Sequence, residues 1–143
     1  MQSFFSASNK LSVQRSVQRE LRQAMKNGAG ILYVEFDGYG STKPELTYLT
    51  RKNKRASRVT KSRNDGSANV FDQLHKRRFN KSHLKVVGVN TDYCVFETVQ
   101  GLREKLPQAK IEVIADACSS NGSHKNGLAK IKKIPNIKIL RNK

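Results

Sequence analysis

Two apolar rhythms alternate along this chain. Val13, Val17, Leu21, Ala24 and Met25 recur every three or four residues with Arg and Gln between them, which is one face of a helix. Asn27-Gly28 supplies its stop. Residues 31–36 (ILYVEF) form a short, mostly apolar run that predicts a buried strand. Asp37-Gly38-Tyr39-Gly40 reads as a loop. Thr42, Pro44 and Glu45 then mark a helix start over 45–51, with a cap, a proline near the first turn and an acid at the positive end. Residues 58–61 predict a brief strand and Asn64-Asp65-Gly66 a turn. Ser67 is expected to cap a helix carrying Val70, Phe71 and Leu74. Residues 84–89 (LKVVGV) predict a second buried strand, and 93–106 a helix with Val95, Thr98, Val99 and Leu102 inward. A strand over 111–116, a helix over 128–134 and a strand over 137–140 complete the chain.

Strands alternating with helices imply parallel pairing through crossovers, hence an α/β fold: a three-layer α/β/α, Rossmann-like parallel sheet. Ligands in such sheets sit beyond the carboxyl ends of the strands. The positions to inspect are therefore Asp37, Lys61, Asn90 to Cys94 and Asp116 to Ser119. No internal repeat or linker-like boundary divides residues 1–143, so a single domain is expected.

Composition narrows the class. The 143 residues carry 28 Lys+Arg against 11 Asp+Glu, a formal net charge of +17. Seven of the thirteen residues in 51–63 are basic, and seven Lys/Arg but no acid follow Asp116. Such a field either keeps a protein soluble or draws it to nucleic acid and other polyanions in a salt-dependent way. No aromatic stacking platform interleaves the charges, so sequence-specific readout has no support. No run approaches the ~18 apolar residues that cross a membrane. Two cysteines cannot build a disulfide framework, and the chain opens without a cationic-then-apolar leader, so a reduced, cytoplasmic setting is the default expectation.

Cys94 is the leading candidate for chemistry. It lies just past the strand ending at Val89 and opens a helix, where unpaired N–H groups and the macrodipole favour a nucleophilic thiolate. Lys61, at the end of another strand, would reinforce that. The competing reading is an inert, packed cysteine. Cys118 reads as a small core residue, since 24 residues separate it from Cys94 and no Cys-x-x-Cys exists. His75, His83 and His124 show no metal-ligand spacing, and no cofactor or metal is expected. Tyr39 and Tyr48 are either pocket-lining or packing residues.

The stretch KVVGVNTDYCVFETVQGL (85–102) resembles the nucleophile motif of the isochorismatase-like cysteine hydrolases. TKSRNDGSANVF (60–71) resembles that family's lysine segment, and IEVIADACSSN (111–121) its next strand and exit loop. Three motifs in the right order cover most of the chain. The resemblance implies Cys94 as nucleophile and Lys61 as the triad lysine. It implies the backbone N–H groups of Asn90 and Cys94 as an oxyanion hole, with a cis peptide between Val89 and Asn90. Asp92 would orient the nucleophile, or alternatively cap its helix. The resemblance further implies a small amide or related small molecule as substrate, and a homo-oligomer, which is common in the family.

The family's third catalytic residue is an aspartate ending its first, mid-sheet strand. The chain opens Met1-Gln2-Ser3-Phe4-Phe5, a pattern resembling the residues that come directly after that aspartate. The expectation is a domain truncated at its N-terminus, or one whose first strand is encoded upstream. Such a chain would have two strands with unpaired backbone groups, a split core, and an open sheet able to accept a partner's strand. Asp37 is the one substitute for the aspartate that the sequence offers, and a solvated loop acid is its other reading. Two functions remain in play: a cysteine hydrolase, or a catalytically impaired relative that binds nucleic acid or protein.

Overall fold

A computed structural model describes residues 1–141; Lys143 of the basic tail lies outside them. After a 3-10 turn at Ser6–Asn9 come α1 (Leu11–Lys26), β1 (Ile31–Phe36), α2 (Pro44–Thr47) and a second 3-10 turn (Tyr48–Thr50). Next are β2 (Ala56–Lys61), α3 (Ser67–Lys76) and β3 (His83–Val89). A π-helical turn (Thr91–Val95) leads into α4 (Phe96–Lys105), then β4 (Lys110–Ser119), α5 (His124–Lys132) and β5 (Ile137–Leu140). The strands are parallel in two groups, β1-β2 and β3-β4-β5. This is the expected α/β architecture, with one difference: β1 and β3 are not hydrogen-bonded to each other.

The helices cover both faces. Val13, Val17 and Leu21 of α1 bury Ile31, Ile114 and Ala117 on one side. Val70 and Leu74 of α3, with Val99 and Leu102 of α4, bury Ile111 and Val113 on the other. The core is therefore divided by the sheet rather than along its gap, because Leu32 and Val34 of β1 pack against the same cluster as Val86 of β3. Burying one such aliphatic side chain stabilises by about 1.5–3 kcal/mol.

Local details depart from the sequence reading for physical reasons. The runs at 31–36 and 84–89 are strands, but Leu32, Val34, Leu84, Val86 and Val87 are only half-buried because each run borders the gap. β4 is longer than predicted and nearly all buried, being flanked on both sides. Its register against β3 jumps from Val86↔Val113 to Gly88↔Cys118, so β4 spends extra residues beside β3. Ser67 is the first residue of α3 rather than its cap; its N–H donates to Asp65 Oδ1 at 2.8 Å. Thr42 does not cap α2 either: Lys43 precedes the helix, and the Thr42 N–H donates to Glu35 Oε2 at 3.2 Å.

Candidate active site

Between β1 and β3 runs a cavity of about 600 Å³. Ile31 to Val34 line one side and Leu84 to Val89 the other. Val17, Leu21 and Ala24 close it from α1, and Val70, Leu74 and Leu102 from the opposite layer. Its far end holds Met1, Phe36, Lys61, Asn90 and Cys94. The carboxyl ends of three strands thus deliver the sequence-predicted residues to one place, as parallel α/β sheets do.

Lys61, the last residue of β2, is 7% exposed. Its Nζ donates to the Asn64 carbonyl at 2.5 Å and stands 5.2 Å from the centre of the Phe36 ring. Cys94 is half-buried, and its Sγ donates to Asn64 Oδ1 at 3.6 Å. Thr98 Oγ1 also donates to the Asn64 carbonyl, at 3.3 Å, and accepts the Gly66 N–H at 2.9 Å. Asn64 therefore joins both predicted catalytic side chains, one through its backbone and one through its side chain. Sequence reasoning placed it only in a turn; its position three residues after Lys61 was the available signal. The Met1 amine lies at the same end. Burial pushes its pKa down to about 6, with Lys61 and Lys43 acting the same way against Glu35 and Cys94.

The loop that carries Cys94 is built without a cis peptide: none occurs among the described residues. Instead Asn90 takes a left-handed conformation (φ 61°, ψ 60°), which asparagine tolerates better than most residues. Its carbonyl accepts the N–H of Tyr93 at 3.1 Å and of Val95 at 3.2 Å. The second of these spans five residues, and that wide turn is where Cys94 sits. The helix expected from Tyr93 thus becomes a π turn followed by α4.

Asp92 is engaged with the connection between β4 and α5. Its carboxylate accepts Ser120 Oγ at 2.5 Å and the Ser123 N–H at 3.1 Å. Burial alone would raise its pKa, but these hydrogen bonds and the Lys130 charge outweigh it and hold the carboxyl below its ordinary value. It fastens the π turn to the loop after β4. Thr91 Oγ1 makes a second tie, 2.9 Å from His124 Nδ1. Gly127 of α5 makes the third: a Cβ there would meet the Asp92 nitrogen and the Thr91 carbonyl carbon at 2.6 Å.

The remaining candidates separate from the site. Asp37 is exposed, its N–H donating to the Lys61 carbonyl at 2.8 Å. Cys118 is buried in the core, and burial pushes its thiol up to about 12. His75, His83 and His124 pair separately with Lys81, Glu112 and Thr91. No group of three His, Cys, Asp or Glu among the described residues is arranged to hold a metal. Tyr48 is 61% exposed beneath Arg51, outside the cavity. Tyr39 stacks on Phe5, whose ring helps line the cavity, with 5.2 Å between centroids.

No protein-family model matches the sequence, and no curated protein sequence does. Solved structures do match in fold. The nicotinamidase of Staphylococcus aureus aligns with a TM-score of 0.76 at 19% identity, covering 92% of this chain and 88% of that one. An isochorismatase from Pseudomonas putida gives 0.76 at 15% identity over 98% and 83%. The MAR1 ribonuclease of Caenorhabditis elegans gives 0.76 at 18% over 92% and 66%. The fold is that of the isochorismatase-like hydrolases.

Proposed function

We propose that the protein is a cysteine-dependent hydrolase acting on a small amide or a related small molecule. The observation that carries this is the joining of Cys94 and Lys61 through Asn64 at the carboxyl end of a 600 Å³ cavity. In the proposed reaction the Cys94 sulfur adds to the substrate carbonyl carbon. The developing oxyanion is received by the N–H groups of Asn90 and Cys94, with the Lys61 ammonium balancing charge. Collapse expels the amine, which leaves with the thiol proton, and water then cleaves the thioester to the acid and regenerates the thiol. Asp92 acts at a distance, by holding the π turn.

Among the described residues no carboxylate is positioned as general base. Asp92 is engaged with Ser120 and Ser123, and Asp65 with the Ser67 N–H. General acid–base catalysis contributes typically about 10²–10⁴-fold, so acylation is expected to outlast hydrolysis and the adduct to accumulate. Treatment with a small activated amide should therefore add one acyl group, located at Cys94 and not Cys118 by peptide mass spectrometry. Cys94→Ala should lose it. An equal adduct on that variant would overturn the assignment.

A second reading has its own support. Arg51, Lys52 and Lys54 ahead of β2 and Arg63 after it are exposed in a chain of net charge +17, and the MAR1 protein that shares this fold is a ribonuclease. On that reading the chain binds nucleic acid without sequence preference. Affinity for single-stranded RNA should then fall steeply across a salt series, and no binding at low salt would remove this reading.

A further inference from the structure

At the amino ends of β1 and β2 two turns meet: residues 51–55 ahead of β2 and residues 77–80 after α3. The Arg77 Nη2 donates to the Lys54 carbonyl, which ties one turn to the other. The Ile31 N–H donates to the Arg55 carbonyl at 2.8 Å and sets the pair at the start of β1. Arg51, Lys52, Lys54, Arg55, Arg77 and Arg78 are all exposed here. The ion pairs among the described residues include none of the six, and neither turn contains an acid.

Like charges held together raise the energy of a folded chain. Cations after α3 complement the negative end of its dipole, which accounts for part of the cluster. It does not account for Arg55, which comes from the other turn. The Arg55 guanidinium carbon lies 4.9 Å from the centre of the Phe79 ring, and that of Arg77 lies 5.4 Å from the same centre. The ring itself is fixed: Phe79 is 6% exposed, and a Cβ on Gly30 would meet it at 2.5 Å. One buried aromatic side chain thus gathers two guanidinium groups from separate parts of the sequence. Arg78 adds a third at a conformational disadvantage. It takes a left-handed backbone (φ 53°) just past α3, a place that glycine or asparagine ordinarily fills. An anion would offset this crowding. Four of the six residues are arginines, whose forked N–H groups match phosphate oxygens in pairs. No large apolar side chain is exposed within either turn, so nothing here would seat the apolar core of a protein interface or enter a lipid surface.

We propose, resting on the nucleic-acid reading above, that these two turns are the surface that binds the phosphate backbone of a nucleic acid strand, with Phe79 holding the Arg55 and Arg77 guanidinium groups in place. This surface and Cys94 stand at opposite ends of the sheet, separated by the length of β2, roughly 17–20 Å for a six-residue strand. The probe is a fluorescent oligouridylate, titrated into the full chain across a salt series. The unmodified chain should bind at low salt with a steep slope. Arg55→Gln combined with Arg77→Gln should weaken binding about tenfold and lower the log–log slope by about 1.4, the equivalent of two phosphate contacts to a single strand. Lys125→Gln combined with Lys132→Gln removes the same charge from exposed positions on α5 and should change affinity by no more than about twofold. Amide shifts in the unmodified chain require no variant to fold. On adding the oligouridylate they should move at Lys54, Arg55, Arg77 and Arg78 and stay in place at Asn64 and Cys94.

Equal losses from the two double variants would overturn this surface while leaving nucleic-acid binding itself in place. So would amide shifts centred on Asn64 and Cys94. Failure of the unmodified chain to bind at low salt would overturn both. Polyglutamate of matched charge displacing the RNA as well as unlabelled oligouridylate does would overturn the choice of phosphate.

Discussion

Asn64 carries more of the site than its place in an exposed turn suggests. Its carbonyl takes hydrogen bonds from Lys61 and Thr98, and its side chain takes one from Cys94. Asn64→Ala keeps the carbonyl and deletes only the contact to sulfur. It should cost no more than about 1 kcal/mol in a urea melt, the scale of one partly exposed hydrogen bond. Acylation of Cys94, tracked by mass spectrometry, should nonetheless slow several-fold because the thiol loses its fixed direction. Gly127→Ala is the contrasting case. The added methyl meets backbone, which cannot rotate away, so about 1–3 kcal/mol of stability should be lost. Amide shifts of Thr91 and Asp92 would locate the damage in the loop that carries Cys94.

At the scale of elements, the π turn is held from behind by the β4–α5 connection. Asp92 joins Ser120 and Ser123, and Thr91 joins His124. Asp92→Ala removes one acceptor from two donors and should destabilise by about 1–3 kcal/mol. A purely local cap would leave α5 unaffected. The structure instead predicts faster hydrogen exchange in the first turn of α5 as well, beginning at Ser123 and Asn126, whose own bond depends on that loop. At the other end of the sheet Glu112 joins β4 to β3 through His83 Nε2 at 2.7 Å, and also bonds Lys110 Nζ at 3.1 Å.

For the whole molecule these ties make acid destabilising in stages. Burial lowers the His124 pKa from its ordinary 6.5, so the unfolded chain takes up that proton first and stability falls as pH drops below 6.5. Glu112 and Asp92 are held below 4.5 and 3.8, against the opposing effect of burial, by hydrogen bonds and nearby cations. Their contribution is complete above those values and is lost as pH falls through the lower, folded-state values. Urea midpoints should therefore decline modestly from pH 7.5 to 5.5 and steeply below 4. In His124→Gln the first decline should shrink to the part that the buried Met1 amine contributes, while the second stays. Among the described residues no helix is long and apolar enough to cross a membrane.

Much of this architecture was legible in one dimension. The spacing of Val13, Val17 and Leu21 names the buried face of α1, and the apolar run 31–36 names β1 residue for residue. Cys94 and Lys61 were marked by position after strands. These features are local, arising from side-chain period and chain punctuation, and such signals lie within a few residues of one another. What the folded chain decided depends on residues far apart in sequence. Asn64 meets Cys94 across thirty residues, and Asp92 meets Ser123 across thirty-one. Asn90 takes a left-handed turn where a cis bond was expected. The interval between β1 and β3 belongs to this second kind: a strand's apolar pattern shows that it is covered, whereas only its neighbours in space show which edge is left without a partner.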